Sequence, residues 1–151
     1  MLFANFCDIV YKEGSAALKI ILCVDKENGM LFMGKRQSQD SMLRNKILEI
    51  VGGSKLWVSK YTAGQFEAKE VLTIDNDYIS KAEAEDYCFV EDMGYDISKT
   101  DEVILCRWNR SYPGETYFET DLKTAGFKKK KTENIIGSSH RKITIETYRR
   151  G

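Results

Sequence analysis

The stretch KIILCVDKENGMLFMGKRQSQD, residues 19–40, decides the fold. Ile20, Ile21, Leu22, Cys23 and Val24 form an unbroken apolar run, the length of a strand buried on both faces. Asp25 and the Asn28-Gly29 pair end that strand and open a long loop reaching Gln39, punctuated again at Gly34. Ser38 is the expected N-cap of the next helix, which places Gln39 and Asp40 in its first turn, where a carboxylate favours the helix dipole. Leu43, Ile47, Ile50 and Val51 then recur at helical spacing until Gly52-Gly53 stops them. A buried strand, a glycine-containing loop and an acid at a helix start make up the opening of a nucleotide-handling α/β site.

Further strands are expected at Lys55–Val58, Glu70–Ile74, Tyr87–Val90 and Glu102–Cys106, with a helical stub from Lys60 to Phe66 and a polar loop from Asp75 to Glu85. After the only proline, Pro113, the pattern changes. Gly126–Thr132 and Lys142–Tyr148 flank a turn at Gly137-Ser138-Ser139-His140, and ITIETY alternates as a half-buried strand does. Strands alternating with helical stretches, then a terminal hairpin, predict a single α/β domain over 19–151 with a largely parallel sheet and an antiparallel C-terminal edge. Residues 1–18 are an N-terminal extension whose structure the sequence leaves open: an added strand, a flexible arm or an upstream start.

Composition narrows the function classes. Lys+Arg and Asp+Glu both total 23, so no net field favours nucleic acid or an anionic membrane. No apolar run approaches the roughly 18 residues of a membrane span, and the first residues, with Asp8 inside their apolar stretch, make a poor signal peptide. A cytoplasmic protein is expected, with its four cysteines reduced and structural. One histidine, His140, excludes a histidine-rich metal centre, so no metal is expected.

Three stretches resemble the dihydrofolate reductase family over roughly residues 19–150. VDKENGMLF with Asp40 is similar to that family's first strand, mobile loop and helix-borne acid. KLWVSKYTAGQF (55–66) is similar to its second strand and helix start, with Ser59-Lys60-Tyr61-Thr62 where the family has Gly-Arg/Lys-x-Thr. DEVILCRWNRSYPGETYF (101–118), with the closing Tyr148-Arg149-Arg150, is similar to the late strands. The resemblance implies that Asp40 hydrogen-bonds a pterin ring and favours its protonated form, and that Thr116 braces Asp40. It also implies that Lys60, Thr62 and, through a shifted alignment, Gly94 hold a cofactor. The implied reaction is reduction of a C=N bond in a pterin or flavin-like ring, with NADPH or NADH supplying the hydride.

The chain departs from the family where the cofactor's charges sit. Glu91-Asp92 replaces a Gly-Gly pair at the cofactor pyrophosphate, Asp75 stands where a base reads the adenosine phosphate, and Ala63–Lys69 lacks the arginine that holds the folate tail. Acids facing a dianion at low dielectric repel it strongly. The rival expectation is therefore a non-catalytic binding or regulatory module of the same fold. RNA is one partner to weigh for it, through Arg107–Tyr112, whose interleaved bases and aromatics suit stacking on single strands, and Lys128–Lys131; the competing structural readings are a strand end whose Trp108 packs under a loop and an edge strand whose lysines deter aggregation. The orientation of Glu91 and Asp92 separates the two readings: acids facing the cleft weaken the reductase. Gly137–Arg141 contains serines beside a histidine but reads as a polar hairpin turn.

Overall fold

A computed structural model of the chain describes residues 18–92 and 94–151. The expected N-terminal extension, residues 1–18, therefore lies outside the described residues except for Leu18, which belongs to the first strand.

The described strands are β1 (Leu18–Val24), β2 (Gly29–Phe32), β3 (Lys35–Arg36), β4 (Leu56–Val58), β5 (Thr73–Ile74), β6 (Tyr87–Phe89), β7 (Thr100–Arg107), β8 (Thr116–Tyr117), β9 (Phe127–Ile135) and β10 (Ile143–Arg150). Three helices accompany them: α1 (Ser41–Val51), α2 (Lys60–Ala63) and α3 (Tyr78–Lys81). Seven strands form one sheet in the order β9-β10-β7-β1-β6-β4-β5. The run from β7 to β5 is parallel, and β10 pairs antiparallel with both β7 and β9. The expected parallel sheet with an antiparallel C-terminal hairpin is thus the observed one.

Period-two alternation divides the buried residues between the two sheet faces. On one face, Ile21, Phe89, Ile104 and Ile145 pack against Leu43, Ile47 and Val51 of α1. On the other, Ile20, Leu22, Val103 and Leu105 pack with Met30, Phe118 and Leu122. Because both faces are covered, β1 is apolar without a break from Ile20 to Val24, which is why it is the most legible element in the sequence.

Two local expectations are corrected. The long loop after Asp25 contains the β2–β3 hairpin, which joins β8 in a small second sheet, β3-β2-β8. The predicted strand at Glu70–Ile74 is only Thr73–Ile74, because Lys69–Val71 forms a 3-10 turn with Val71 exposed. Lys128–Lys131 lies on β9 at the sheet edge, where exposed lysines deter pairing with another chain. No helix among the described residues is long and apolar enough to cross a membrane.

Candidate functional site

In open α/β sheets, ligands bind beyond the carboxyl ends of the parallel strands. Here that edge is formed by Cys23 and Val24 at the end of β1, Val90 and Glu91 after β6, and Arg107 and Trp108 at the end of β7. The loop after β3 and the start of α1 close over it.

Asp40 is the N-cap of α1, one position outside the expected first turn, and it takes the role expected of Ser38. Its carboxylate is buried. Oδ1 accepts from the backbone N–H of Met42 (2.9 Å), Leu43 (3.2 Å) and Ser138 (2.9 Å). Oδ2 accepts from Ser139 N–H (2.8 Å) and lies 3.0 Å from Ser139 Oγ and 3.1 Å from His140 Nδ1. A carboxylate has about four lone-pair sites, so these donors saturate it. Burial by itself would raise the Asp40 pKa, but the Ser139 and Ser138 amides, His140 and the Ser139 hydroxyl together hold it well below the ordinary carboxylate range.

The β9–β10 turn is built around this carboxylate. A Cβ on Gly137 would collide with Asp40 Oδ2 and the His140 carbonyl, so only glycine allows so close an approach. Ser138 Oγ also accepts from Ser41 N–H at 3.1 Å, which satisfies another free donor of the helix start.

His140 is buried, its ring stacked on Trp108 at a centroid distance of 4.6 Å and an interplanar angle of 25°. Because an ionised carboxylate can only accept, the His140 Nδ1 proton points at Asp40. Nε2 lies 2.9 Å from Tyr112 OH and 3.2 Å from Ser38 Oγ. Asp40, His140 and Ser38 thus stand in the sequence of a nucleophilic triad. Tyr112 competes for the same nitrogen at the shorter distance, however. The space bounded by Cys23, Met30, Ser38, Glu91 and Trp108 holds only about 10 Å³, the room of one water.

Across that space, Arg36 closes the crevice. Its guanidinium makes a two-point pair with Glu91 (Nε to Oε2 2.9 Å, Nη2 to Oε1 3.1 Å), donates to the Tyr61 carbonyl at 3.0 Å and lies 4.2 Å from the Tyr61 ring centroid. The Glu91 side chain is 11% exposed and lines the crevice. Asp92 is exposed and turns to accept from Gly94 N–H.

None of the other expected site residues hydrogen-bonds the Asp40 carboxylate. Thr116 lies in β8 of the small sheet, opposite Leu31, and the groups bracing Asp40 are Ser138, Ser139 and His140 instead. Lys60 is exposed at the start of α2, its backbone N–H already given to Asn76 Oδ1. Thr62 is buried and bonded to Ser59 through both its N–H and its hydroxyl. Gly94 is exposed in the loop after β6. In the stretch weighed for RNA stacking, Arg110 is exposed and Tyr112 half-buried. Arg107 pairs with Glu146 (2.9 Å) and Asn28 (3.1 Å), and Trp108 is buried. No group of three or more metal-ligating side chains occurs among the described residues.

Sequence reasoning missed His140, Trp108 and Tyr112 as parts of one cluster. The sole histidine beside Gly-Ser-Ser was the available signal, but its carboxylate partner lies 100 residues away.

An open groove of about 360 Å³ adjoins the cluster, lined by Phe32, Met33, Lys35, Gln37, Tyr112 and Pro113. Gln37 donates through Nε2 to Asp25 Oδ2 (3.2 Å) and to the Pro113 carbonyl (3.0 Å), while its buried Oε1 has no partner among the described residues.

No protein-family model matches the sequence, and no curated protein matches it. Among solved structures, the chain is similar to dihydrofolate reductase from Enterococcus faecalis complexed with NADP(H) and RAB-propyl. The TM-score is 0.60 at 16% identity, covering 89% of this chain and 96% of that one. At that identity the likeness speaks for architecture rather than activity. The chain has the dihydrofolate reductase-like fold.

Proposed function

We propose that this chain is a non-catalytic binding protein of the dihydrofolate reductase-like fold, which takes a small planar heterocycle in the groove beside Tyr112. The observation that carries the reading is the saturation of Asp40 by the chain's own donors. In the family resemblance this acid receives a pterin edge. Here it receives the imidazole of His140, a planar heterocycle of the protein itself, stacked on Trp108. Glu91 facing the crevice and held by Arg36 adds an acid where a cofactor's phosphates would come.

The groove offers what the closed crevice lacks. Its volume lies within the usual range for small-ligand sites. Phe32, Tyr112 and Pro113 supply flat apolar walls.

The test is titration with pterin and riboflavin as probes, followed by tryptophan fluorescence and calorimetry. Saturable binding is expected, weakened about tenfold (about 1.4 kcal/mol) by Phe32→Ala. Absence of binding by either probe, or binding indifferent to Phe32→Ala, refutes the groove as the site.

A second reading, a pyridine-nucleotide-dependent reductase, is favoured by the likeness to a reductase complexed with NADP(H). In it NADPH would lie against Lys60, Thr62 and Gly94, with Asp40 and Thr116 serving the substrate ring. It requires Arg36 to release Glu91 and the Ser138–His140 turn to leave Asp40.

A further inference from the structure

The parallel register of β1 and β7 sets Cys23 directly opposite Cys106. Adjacent strands lie about 4.8 Å apart, within the roughly 4.4–6.8 Å Cα separation that a disulfide accepts. Directly paired residues of a parallel ladder project to the same face. Both cysteines accordingly pack with the cluster that contains Ile21 and Ile104. Their exposure is unequal. Cys23 is partly exposed and forms part of the crevice wall beside Gln37, Ser38 and Glu91, whereas Cys106 is fully buried. Cys88 packs on the opposite face, opposite Ile20.

We propose that Cys23 and Cys106 are a reversible dithiol–disulfide pair at the floor of the crevice, with Cys23 the attacking and Cys106 the resolving sulfur. The oxidant is a small-molecule disulfide, admitted to Cys23 when the Arg36–Glu91 pair across the crevice parts. Cys23 gives its proton to solvent, and its thiolate attacks one sulfur of the oxidant, forming a mixed disulfide and expelling the first thiolate. Cys106 then loses its proton and attacks the Cys23 sulfur, forming the protein disulfide and expelling the second thiolate. Two protein thiols are oxidised and one small disulfide is reduced to two thiols. The bond would tie the first strand to β7, closing a long loop and restricting the unfolded chain.

Reaction is slow at neutral pH and quickens as pH rises, because only the thiolate attacks. The neighbouring Cys106 thiol, together with burial, holds the Cys23 thiol well above its ordinary pKa.

The experiment incubates the full chain with glutathione disulfide at mildly alkaline pH, then alkylates remaining thiols and maps tryptic peptides by mass spectrometry. The expected product links residues 20–26 to residues 100–107, has lost two hydrogens, melts at a higher temperature than the reduced protein and is reversed by dithiothreitol. Cys106→Ser, checked for folding by circular dichroism, is expected to accumulate glutathione on Cys23. Full alkylation of Cys23 and Cys106 after oxidation, a linkage through Cys7 or Cys88 instead, or a stable glutathione adduct in the unsubstituted protein overturns the proposal.

Discussion

Replacing Asp40 with asparagine separates a carboxylate that holds the fold from one that holds a ligand. Asparagine keeps the shape and one carbonyl oxygen, so it still caps α1 through Met42 and Leu43. What changes is the Oδ2 side, where an amide NH2 would confront the Ser139 N–H and the His140 Nδ1–H. His140 can adapt by moving its proton to Nε2 and donating to Tyr112 or Ser38. The Ser139 amide cannot adapt, because a backbone N–H only donates. A buried donor left without an acceptor costs about 1–3 kcal/mol, and charge-assisted bonds at the same oxygen are lost as well. The combined destabilisation is about 2–4 kcal/mol. For a domain of this size that lowers the melting temperature by about 5–15 °C. Thermal denaturation of both proteins by circular dichroism and calorimetry measures the difference. A melting temperature within about 2 °C of the original, about 0.5–1 kcal/mol by the same conversion, would refute the structural role and return Asp40 to the ligand.

Acid adds a signature of sign. The folded Asp40 pKa lies below its unfolded value of 3.8, so its contribution is fully present above that pH and is lost as pH falls toward the folded value. The gap in melting temperature between the original protein and Asp40→Asn therefore narrows as pH drops below about 4. Gly137→Ala is expected to destabilise by about 1–3 kcal/mol, since the new methyl must displace the Asp40 carboxylate or the turn carbonyl; urea denaturation checks it. Met33→Asn is expected to stabilise by about 0.5–1 kcal/mol, also read by urea denaturation. Met33 sits at φ 52° in the two-residue β2–β3 turn with its side chain 71% exposed, a left-handed position that asparagine tolerates better.

How far the sequence carried the structure follows from the range of the interactions. β1 and α1 were legible because burial imposes a local pattern: a continuous apolar run for a strand covered on both faces, and Leu43, Ile47 and Val51 at helical spacing. The β2–β3 hairpin was not, because its turn is Met33-Gly34 rather than an Asn-Gly pair and its strands are only four and two residues long. Asp40 was singled out correctly as the acid at the helix start. Its neighbours could not be read, because Ser138, Ser139 and His140 reach it only after the C-terminal hairpin folds back against β7. Trp108 is buried, as an aromatic at a strand end packed under a loop should be, but the ring it stacks on, His140, could not be read from its neighbours in sequence. The test set on Glu91 and Asp92 gave a split result: Glu91 faces the crevice and Asp92 does not.

Under the proposed reading, the crevice at the carboxyl ends of the strands is internal structure rather than a nicotinamide site. The most direct test is titration of the unmodified protein with NADPH, following nicotinamide fluorescence, and then adding dihydrofolate and monitoring NADPH oxidation. The account predicts no saturable binding at millimolar NADPH and no protein-dependent oxidation. Saturable binding at micromolar NADPH, or oxidation proportional to protein concentration, would contradict it.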